Sequence, residues 1–303
     1  GVRVVGDLPF VVATDSADVW VRRGEFMLDV SAGVPPDAFS ESGQDWALPT
    51  YRWETIAGTN FAWMRQRARR MAALYDSVRI DHLVGFYRTF GRTPQGHAFF
   101  NPADEPTQTW QGEQILRIFL ESGAEVLAED LGTVPDFVRA SMARLGVPGC
   151  KVLRWERHYH SHHRAFVDPA TFSPVSVTMT GTHDTEPLAA WWDNASDDER
   201  RAFLAVPSAR GVAVQDADAS WSDALRDQIL GEAYRSGSDH VFLPVQDVFG
   251  WRDRINTPAT IDDANWSWRL PWPVDTLARV PEAAERAAFC RQLAIGSGRA
   301  GRT

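Results

Sequence analysis

Six short runs of apolar and β-branched residues recur along the chain, and segments with helical spacing lie between most of them. The runs cover 3–9, 77–81, 125–130, 151–155, 175–180 and 240–245. Apolar residues recur at helical intervals in 61–75, 114–122, 135–145, 198–204 and 223–234. Continuously apolar strands that alternate with helices are typical of parallel βα units. Because polar residues cluster where these strands end, the pattern predicts an α/β fold of the (β/α)8 TIM-barrel type, with the active site at that end.

The alternative to a barrel is a doubly wound parallel sheet, but no GxGxxG turn follows any predicted strand. Six strands are two fewer than a closed barrel needs, and the chain begins inside a strand. We therefore expect a partial barrel over 1–303 that lacks its first two βα units. The stretches 24–60 and 88–112 are predicted to be loop insertions, or a subdomain, over the active-site cleft.

The charge balance excludes some classes of partner. The chain has 31 Lys and Arg against 40 Asp and Glu, a net charge of −9, which disfavours nucleic acid and anionic membranes as partners.

The two cysteines have no CxxC spacing, so neither a disulfide framework nor a zinc site is predicted. No apolar run is long enough to span a membrane and no signal peptide is recognised, so a cytoplasmic protein is expected.

Tryptophan is the one unusual feature of the composition, with 13 residues. Flat indole rings suit stacking against sugar rings or aromatic ligands, whereas the simpler explanation is a core rich in tryptophan. Composition alone leaves both explanations open.

Three predicted strand ends carry acidic residues with unusual neighbours. Asp81 follows Arg79 by two residues, so a strand places both on one side, and the cation favours the ionised carboxylate that a nucleophile requires. Glu129 and Asp130 lie just past an apolar strand, where partial desolvation of an acid favours the protonated form that a general acid requires. Asp184 follows His183 at the end of a Thr-rich strand. Acids at strand ends are most often helix N-caps, but Arg79 and His183 have no capping use, and this set of groups suits retaining cleavage of a glycosidic bond.

A series of motifs lies between residue 3 and about residue 272. The first half is GDLP (6–9), DSADVW (15–20), GVPPDAFSESGQ (33–44) and RIDH (79–82), and the second half is AEDLG (128–132), GTHD (181–184), QDV (246–248), RINTP (254–258) and NWSWRL (265–270). In this order they resemble the motifs of the amylomaltase (disproportionating enzyme) family of 4-α-glucanotransferases, in the α-amylase clan, and 33–44 resembles the signature loop of that family.

The resemblance implies a retaining transfer of α-1,4-glucan segments between maltodextrins, with roles for individual residues. Asp81 would be the nucleophile, Glu129 the acid and then the base, and Asp184 the group that stabilises the transition state. The substrate-binding residues would be Arg79, His183, Trp46, Asn256 and Asp37. The resemblance implies no metal and no organic cofactor.

Two other functions stay open at this point. An α-glucan hydrolase of the same clan would use the same acids with water as the acceptor. A non-catalytic glucan-binding remnant would fit the apparent lack of part of the barrel. The histidines at 158, 160, 162 and 163 have no acidic or cysteine partner in register, which favours a solvated loop over a metal site.

Overall fold

The computed structural model describes residues 1–36, 42–158, 165–209, 220–258, 260 and 262–300. The chain divides into two units, Gly1–Cys150 and Lys151–Thr303. Each unit has its own cluster of buried apolar side chains and is described by itself.

The first unit combines parallel strands with a separate antiparallel sheet. Its strands are β1 (Val5–Leu8), β2 (Phe26–Val34), β3 (Gln44–Tyr51), β4 (Ser77–Ile80), β5 (Thr89–Arg92), β6 (Ala98–Asn101), β7 (Glu125–Ala128) and β8 (Gly149–Val152), which runs two residues past the boundary. Its helices are α1 (Ala17–Val21), α2 (Trp53–Gly58), α3 (Ala62–Leu74), α4 (Val84–Tyr87), α5 (Glu105–Leu120) and α6 (Asp136–Leu145). β1, β4, β7 and β8 pair in parallel in that order, and β3, β2, β5 and β6 form the antiparallel sheet.

The parallel strands lie where apolar runs predict them, and their helices carry recognisable end signals. Asp104 caps α5, because its carboxylate accepts the Thr107 backbone N–H at 3.0 Å. Gly146 ends α6 in the left-handed conformation, with φ +67°, which glycine adopts at little cost. Ile80, Val126 and other apolar side chains of these elements are buried in one cluster. This packing holds the parallel strands, and the residues at their ends, in place.

The antiparallel sheet is built from the two segments predicted to be insertions. β2 and β3 lie within 24–60, and β5 and β6 lie within 88–112, so both segments contribute paired strands. Whether this sheet covers a substrate cleft stays a prediction. The helix predicted over 114–122 begins earlier than expected, at Glu105, and so takes in the end of the second segment.

The second unit contains further βα material. Its strands β9 (Ser176–Met179) and β10 (His240–Phe242) pair in parallel, and the Leu153 N–H, just after β8, donates to the Met179 carbonyl at 3.0 Å. Its helices are α7 (Leu188–Asn194), α8 (Asp197–Leu204), α9 (Asp223–Arg235), α10 (Val245–Phe249) and α11 (Pro281–Gly296). Leu188, Trp192 and Leu225 belong to its buried cluster.

None of the helices in the described part of the chain has the length and apolar character that crossing a membrane requires.

Candidate active site

One guanidinium at the end of the parallel strands of the first unit contacts three carboxylates. Nη1 of Arg79 donates to both carboxylate oxygens of Asp7 at 2.7 and 2.9 Å and to Oδ1 of Asp81 at 3.0 Å. Nη2 of Arg79 donates to Oε2 of Glu129 at 3.0 Å. The Arg79 side chain is only 14% exposed, so it is committed to these partners. Two of the three predicted acids, Asp81 and Glu129, therefore pair with the same guanidinium.

Strand register explains why these groups meet. Asp7 in β1 is the register partner of Arg79 in β4, so their side chains leave neighbouring strands on the same face. The hydrogen bonding between strands continues one residue past β4 and one residue past β7. The Asp81 N–H donates to the Leu8 carbonyl at 3.1 Å, and the Glu129 N–H donates to the Ile80 carbonyl at 2.9 Å. Backbone pairing thus fixes the two carboxyl-bearing residues directly.

The environment separates Glu129 from an ordinary surface carboxyl. Its side chain is 19% exposed, and its Oε2 also accepts the His82 backbone N–H at 2.9 Å. Burial and the neighbouring Asp81 raise the pKa of Glu129 to about 7, against the opposing effects of Arg79 and the His82 N–H. For Arg79, burial acts to lower the pKa, but the charges of Glu129, Asp7 and Asp81 outweigh it and raise the pKa. Glu129 can therefore carry a proton near neutral pH while Arg79 stays charged.

Aromatic rings pack beside the same carboxylates. The imidazole of His82 lies edge to face with the Trp46 ring, with the ring centres 4.9 Å apart, and 5.4 Å from the Phe10 ring. Burial lowers the pKa of His82 to about 4, so this imidazole is neutral at physiological pH. The Trp46 side chain is held by a hydrogen bond from Nε1 to Oε1 of Gln44, at 3.1 Å. The structure thus brings Trp46 next to the residue that follows Asp81.

The third predicted acid lies in the second unit, on the segment between β9 and α7. Oδ1 of Asp184 accepts the Asn256 side-chain amide at 2.6 Å, and its Oδ2 lies 3.1 Å from Nε2 of His183. The Asp184 backbone carbonyl accepts Nη2 of Arg254, also at 2.6 Å, and its N–H donates to Oγ1 of Thr182 at 3.2 Å. Asp184, His183 and Asn256, all predicted as site residues, therefore lie together.

The site residues predicted from the sequence omit several side chains that contact them. Asp7 binds Arg79, Arg254 binds the backbone at Asp184, and the Trp266 ring lies 5.2 Å from the ring of His183. Each falls in a motif quoted above, so the motifs marked the positions without giving the contacts.

Two predictions fall wholly or partly outside the described residues. Asp37, predicted to bind substrate, lies in 37–41, and His160, His162 and His163 lie in 159–164. Across the described ranges, no group of three or more His, Cys, Asp or Glu side chains has an arrangement suited to a metal ion.

Comparison with known proteins defines first the class and then the family. The chain resembles the structure of an amylomaltase from Streptococcus agalactiae in complex with acarbose, with a TM-score of 0.79 and 24% identity, over 99% of this chain and 58% of the other. The fold is therefore of the TIM-barrel type found in amylomaltases. Residues 1–275 match the 4-alpha-glucanotransferase family, and the chain belongs to that family.

Relatives in the same family cover nearly all of the chain. It is 31% identical to a 4-alpha-glucanotransferase of Chlamydia pneumoniae over 91% of this chain and 53% of that protein. It is also 31% identical to a chloroplastic/amyloplastic 4-alpha-glucanotransferase of Arabidopsis thaliana, over 89% of this chain and 46% of that protein. The chain thus spans about half the length of the curated relatives it matches.

Proposed function

We propose that this protein is a 4-α-glucanotransferase that moves α-1,4-glucan segments between maltodextrins by a retaining double displacement. The proposal depends on one observation, which is that the carboxyl groups of Asp81 and Glu129 both contact the guanidinium of Arg79. Asp81 is ion-paired with the guanidinium at 3.0 Å, while burial and Asp81 raise the pKa of Glu129 to about 7. One carboxyl suited to attack and one suited to proton donation are the groups that retaining transfer requires. Membership of the family and the names of its relatives support the substrate class.

The first displacement forms a covalent intermediate. A carboxylate oxygen of Asp81 attacks the anomeric carbon of the donor, while Glu129 gives its proton to the glycosidic oxygen as the bond to the leaving glucan breaks. In the second displacement Glu129 takes the proton from the acceptor's 4-hydroxyl, whose oxygen attacks the anomeric carbon and releases Asp81. Configuration is retained because the carbon is inverted twice.

Other residues are proposed to bind the sugar. Asp184 grips sugar hydroxyls as positive charge develops on the ring, and its hydrogen bond from Asn256 at 2.6 Å orients that carboxylate. Arg79 and His183 bind around the same ring, and Trp46 offers a stacking surface for the acceptor. Asp37 is proposed as a further substrate contact from its motif alone.

The finer description of the fold is also a proposal. We propose a barrel whose first two βα units are not part of 1–303, with 24–60 and 88–112 covering the cleft. The six parallel-type strands and the coverage of about half of each relative support it. Expressing this chain together with any coding sequence found upstream of residue 1 tests the proposal, because two more strand and helix pairs should then be found by hydrogen exchange.

The remaining proposals concern partners and location. A net charge of −9 supports glucans over nucleic acid and anionic membranes as partners. A cytoplasmic location is proposed, although the name of the Arabidopsis relative places that protein in a plastid. Fractionation of the source cells tests the location.

Incubation with maltotriose tests the proposed activity. The protein should produce glucose and a ladder of longer maltodextrins, resolved by chromatography. Asp81→Asn should remove the ladder, because the amide cannot form the covalent intermediate. Asp136→Asn, at an exposed position at the start of α6, is the matched control and should leave the ladder intact.

Different products would point to the other functions. Glucose and maltose without longer chains would indicate a hydrolase. If maltodextrin binds but is not converted, even when the chain is expressed with any upstream coding sequence, the protein is a glucan-binding protein. Either result would contradict the proposed transferase.

A further inference from the structure

A buried carboxylate outside the predicted site has both of its oxygens engaged. Asp247, in α10, is only 1% exposed. Its Oδ2 accepts the hydroxyl of Thr180 at 2.6 Å, and its Oδ1 accepts the backbone N–H of Leu188 at 2.7 Å. These are two charge-assisted hydrogen bonds in a protein interior, where such bonds are strong.

The two partners of Asp247 bracket the segment that carries Asp184. Thr180 is the first residue after β9, and Leu188 is the first residue of α7. The segment 181–187 between them contains His183 and Asp184. A single carboxylate therefore ties both ends of this segment to α10, although Asp247 is about 60 residues away in sequence.

A buried cation and an internal turn fix the middle of the same segment. Arg154, which is 3% exposed, donates from Nη2 to the Glu186 carbonyl at 2.5 Å. The Thr185 hydroxyl accepts the Thr182 N–H at 2.9 Å and donates to the Thr182 carbonyl at 3.0 Å. A Cβ at Gly181 would lie 2.5 Å from this hydroxyl, so only glycine lets the chain pass here without displacement.

Such an arrangement is costly if it serves only to fill the interior. Burial raises the pKa of Asp247, and the bonds from Thr180 and Leu188 together with Arg154 act in the opposite direction. Removing a charge from water is unfavourable in general, and apolar residues of similar volume often stabilise a core as well or better. A role in geometry accounts for a charged group at this position.

We propose that Asp247 is a positioning residue that holds the segment 181–187, and with it the carboxylate of Asp184, in the orientation needed for transfer. The proposal deepens the proposed function and rests on it, since it assumes that Asp184 acts on the sugar. Small displacements of such a group reduce catalysis far more than they reduce binding.

A matched pair of substitutions in β9 and just after it separates positioning from general stability. Thr180→Val removes the hydroxyl bound to Asp247, whereas Thr178→Val removes an equally buried hydroxyl that donates to Ser238 at 2.8 Å. We expect both substitutions to lower Tm, and Thr180→Val to lower it more, because the bond that it removes is to a charged group; kcat is therefore compared well below both Tm values. Thr180→Val should lower kcat for maltotriose by ~10-fold with little change in KM, and Thr178→Val should not. Equal kcat values in the two variants would overturn the proposal.

A conservative substitution tests the geometry itself. In Asp247→Asn the amide can donate to Thr180 and still accept from Leu188, whereas Asp247→Leu has similar volume and keeps neither bond. Asp247→Asn should therefore retain more activity than Asp247→Leu and Thr180→Val. Equal loss in all three would contradict a role based on these two bonds.

Hydrogen exchange gives a readout that does not depend on activity. Backbone amides in 181–186 should exchange at least ~10-fold faster in Thr180→Val than in Thr178→Val, because only the first substitution frees one end of the segment. If the unsubstituted protein fails to disproportionate maltotriose, the proposed function fails while exchange still decides whether Asp247 holds the segment. Equal exchange rates in the two variants would refute the proposal.

Discussion

At the scale of single residues, the site of the first unit depends on one guanidinium. Arg79 is mostly buried and contacts the carboxyl groups of Asp7, Asp81 and Glu129, so three acidic groups share one positive charge. Breaking a buried ion pair by removing one partner generally costs about 3–5 kcal/mol, because the remaining charges are left uncompensated. The properties of each carboxylate are therefore set partly by Arg79.

Replacing Arg79 with lysine should lower activity and move its pH dependence. One ammonium group cannot reproduce the contacts that two guanidinium nitrogens make, so we expect kcat/KM to fall by roughly 100-fold. Because Arg79 acts to lower the pKa of Glu129, the loss of activity at high pH should also shift to higher pH in Arg79→Lys. The pH profile of kcat/KM measures both effects.

Arg3→Lys provides the matched control for Arg79→Lys. Arg3 contacts Ser77 and Glu125 at the other ends of β4 and β7, at 3.0 and 2.9 Å. Its replacement should leave kcat/KM and its pH profile within about 2-fold of the unsubstituted protein. An unshifted pH profile in Arg79→Lys would show that Arg79 does not set the protonation of Glu129.

Substituting Glu129 should change how stability depends on pH. The folded-state pKa of Glu129 is raised to about 7 from an ordinary 4.5, so the unfolded chain releases this proton first as pH rises. The folded state therefore loses stability between these two values, and Glu129→Gln removes that loss. We expect the stability of Glu129→Gln relative to the unsubstituted protein to increase by about 3 kcal/mol from pH 4.5 to pH 8.

Urea unfolding at a series of pH values tests this expectation. Glu121→Gln, an exposed position at the end of α5, is the control and should show no such increase. A difference between Glu129→Gln and the unsubstituted protein that stays constant with pH would contradict the raised pKa.

Residue-level prediction from sequence succeeded where the signal was local. The Arg79 and Asp81 pair follows from strand alternation within four residues, and the structure has the two in contact. The contact of Asp7 with Arg79 required the pairing of β1 with β4, and that of Asp247 with Thr180 joined residues 67 apart. The motifs GDLP and QDV mark the positions of Asp7 and Asp247, but local sequence does not determine which strands pair, so these contacts could not be predicted before the fold was known.

At the scale of elements, apolar runs predicted the parallel strands well. Each of the six predicted runs contains or overlaps a strand, although β8 begins at Gly149, two residues before the predicted start, because Gly149 and Cys150 lack the β-branched signal. The antiparallel sheet escaped prediction, since β2 includes glycine, β3 includes proline, and β2 also pairs with β5, about 60 residues further along the chain. Composition therefore suggested loops where long-range pairing makes strands.

Gly33 should be essential to the antiparallel sheet. A Cβ at this position in β2 would lie 2.0 Å from the Gln44 carbonyl oxygen in β3, and a backbone atom cannot move aside cheaply. Gly33→Ala should lower the free energy of unfolding by about 2 kcal/mol, as measured by urea denaturation.

Gly24→Ala is the matched control for this element. A Cβ at Gly24 meets no atom within 4 Å, so this substitution should be neutral or stabilise by up to about 1 kcal/mol, through a less flexible unfolded chain. Equal urea midpoints for the two variants would mean that β2 and β3 can separate without cost.

At the scale of the whole molecule, the buried apolar side chains form one cluster in each unit. The first cluster contains Trp53, Trp63 and Phe86, and the second contains Trp192 and Leu225. Part of the unusual tryptophan content is thus core, as the simpler explanation had it. Since each cluster contains residues of only one unit, a substitution that destabilises one cluster should increase local unfolding in that unit first.

Paired core truncations test this division. Phe86→Ala and Leu225→Ala each remove a completely buried side chain and should each cost about 2–5 kcal/mol. Phe86→Ala should accelerate amide exchange mainly in 1–150, and Leu225→Ala mainly in 151–303. Uniform acceleration along the chain in both variants would show that the units open together.

The shared guanidinium also constrains how this chain can change during evolution. Because Asp7, Asp81 and Glu129 all depend on Arg79, a substitution at any one of them alters the setting in which the other three act. The effect of a substitution at one position therefore depends on the residues at the other three, so we expect the four positions to change rarely and not independently. Such mutual dependence preserves a constellation of residues over long divergence, even while the surrounding sequence is replaced.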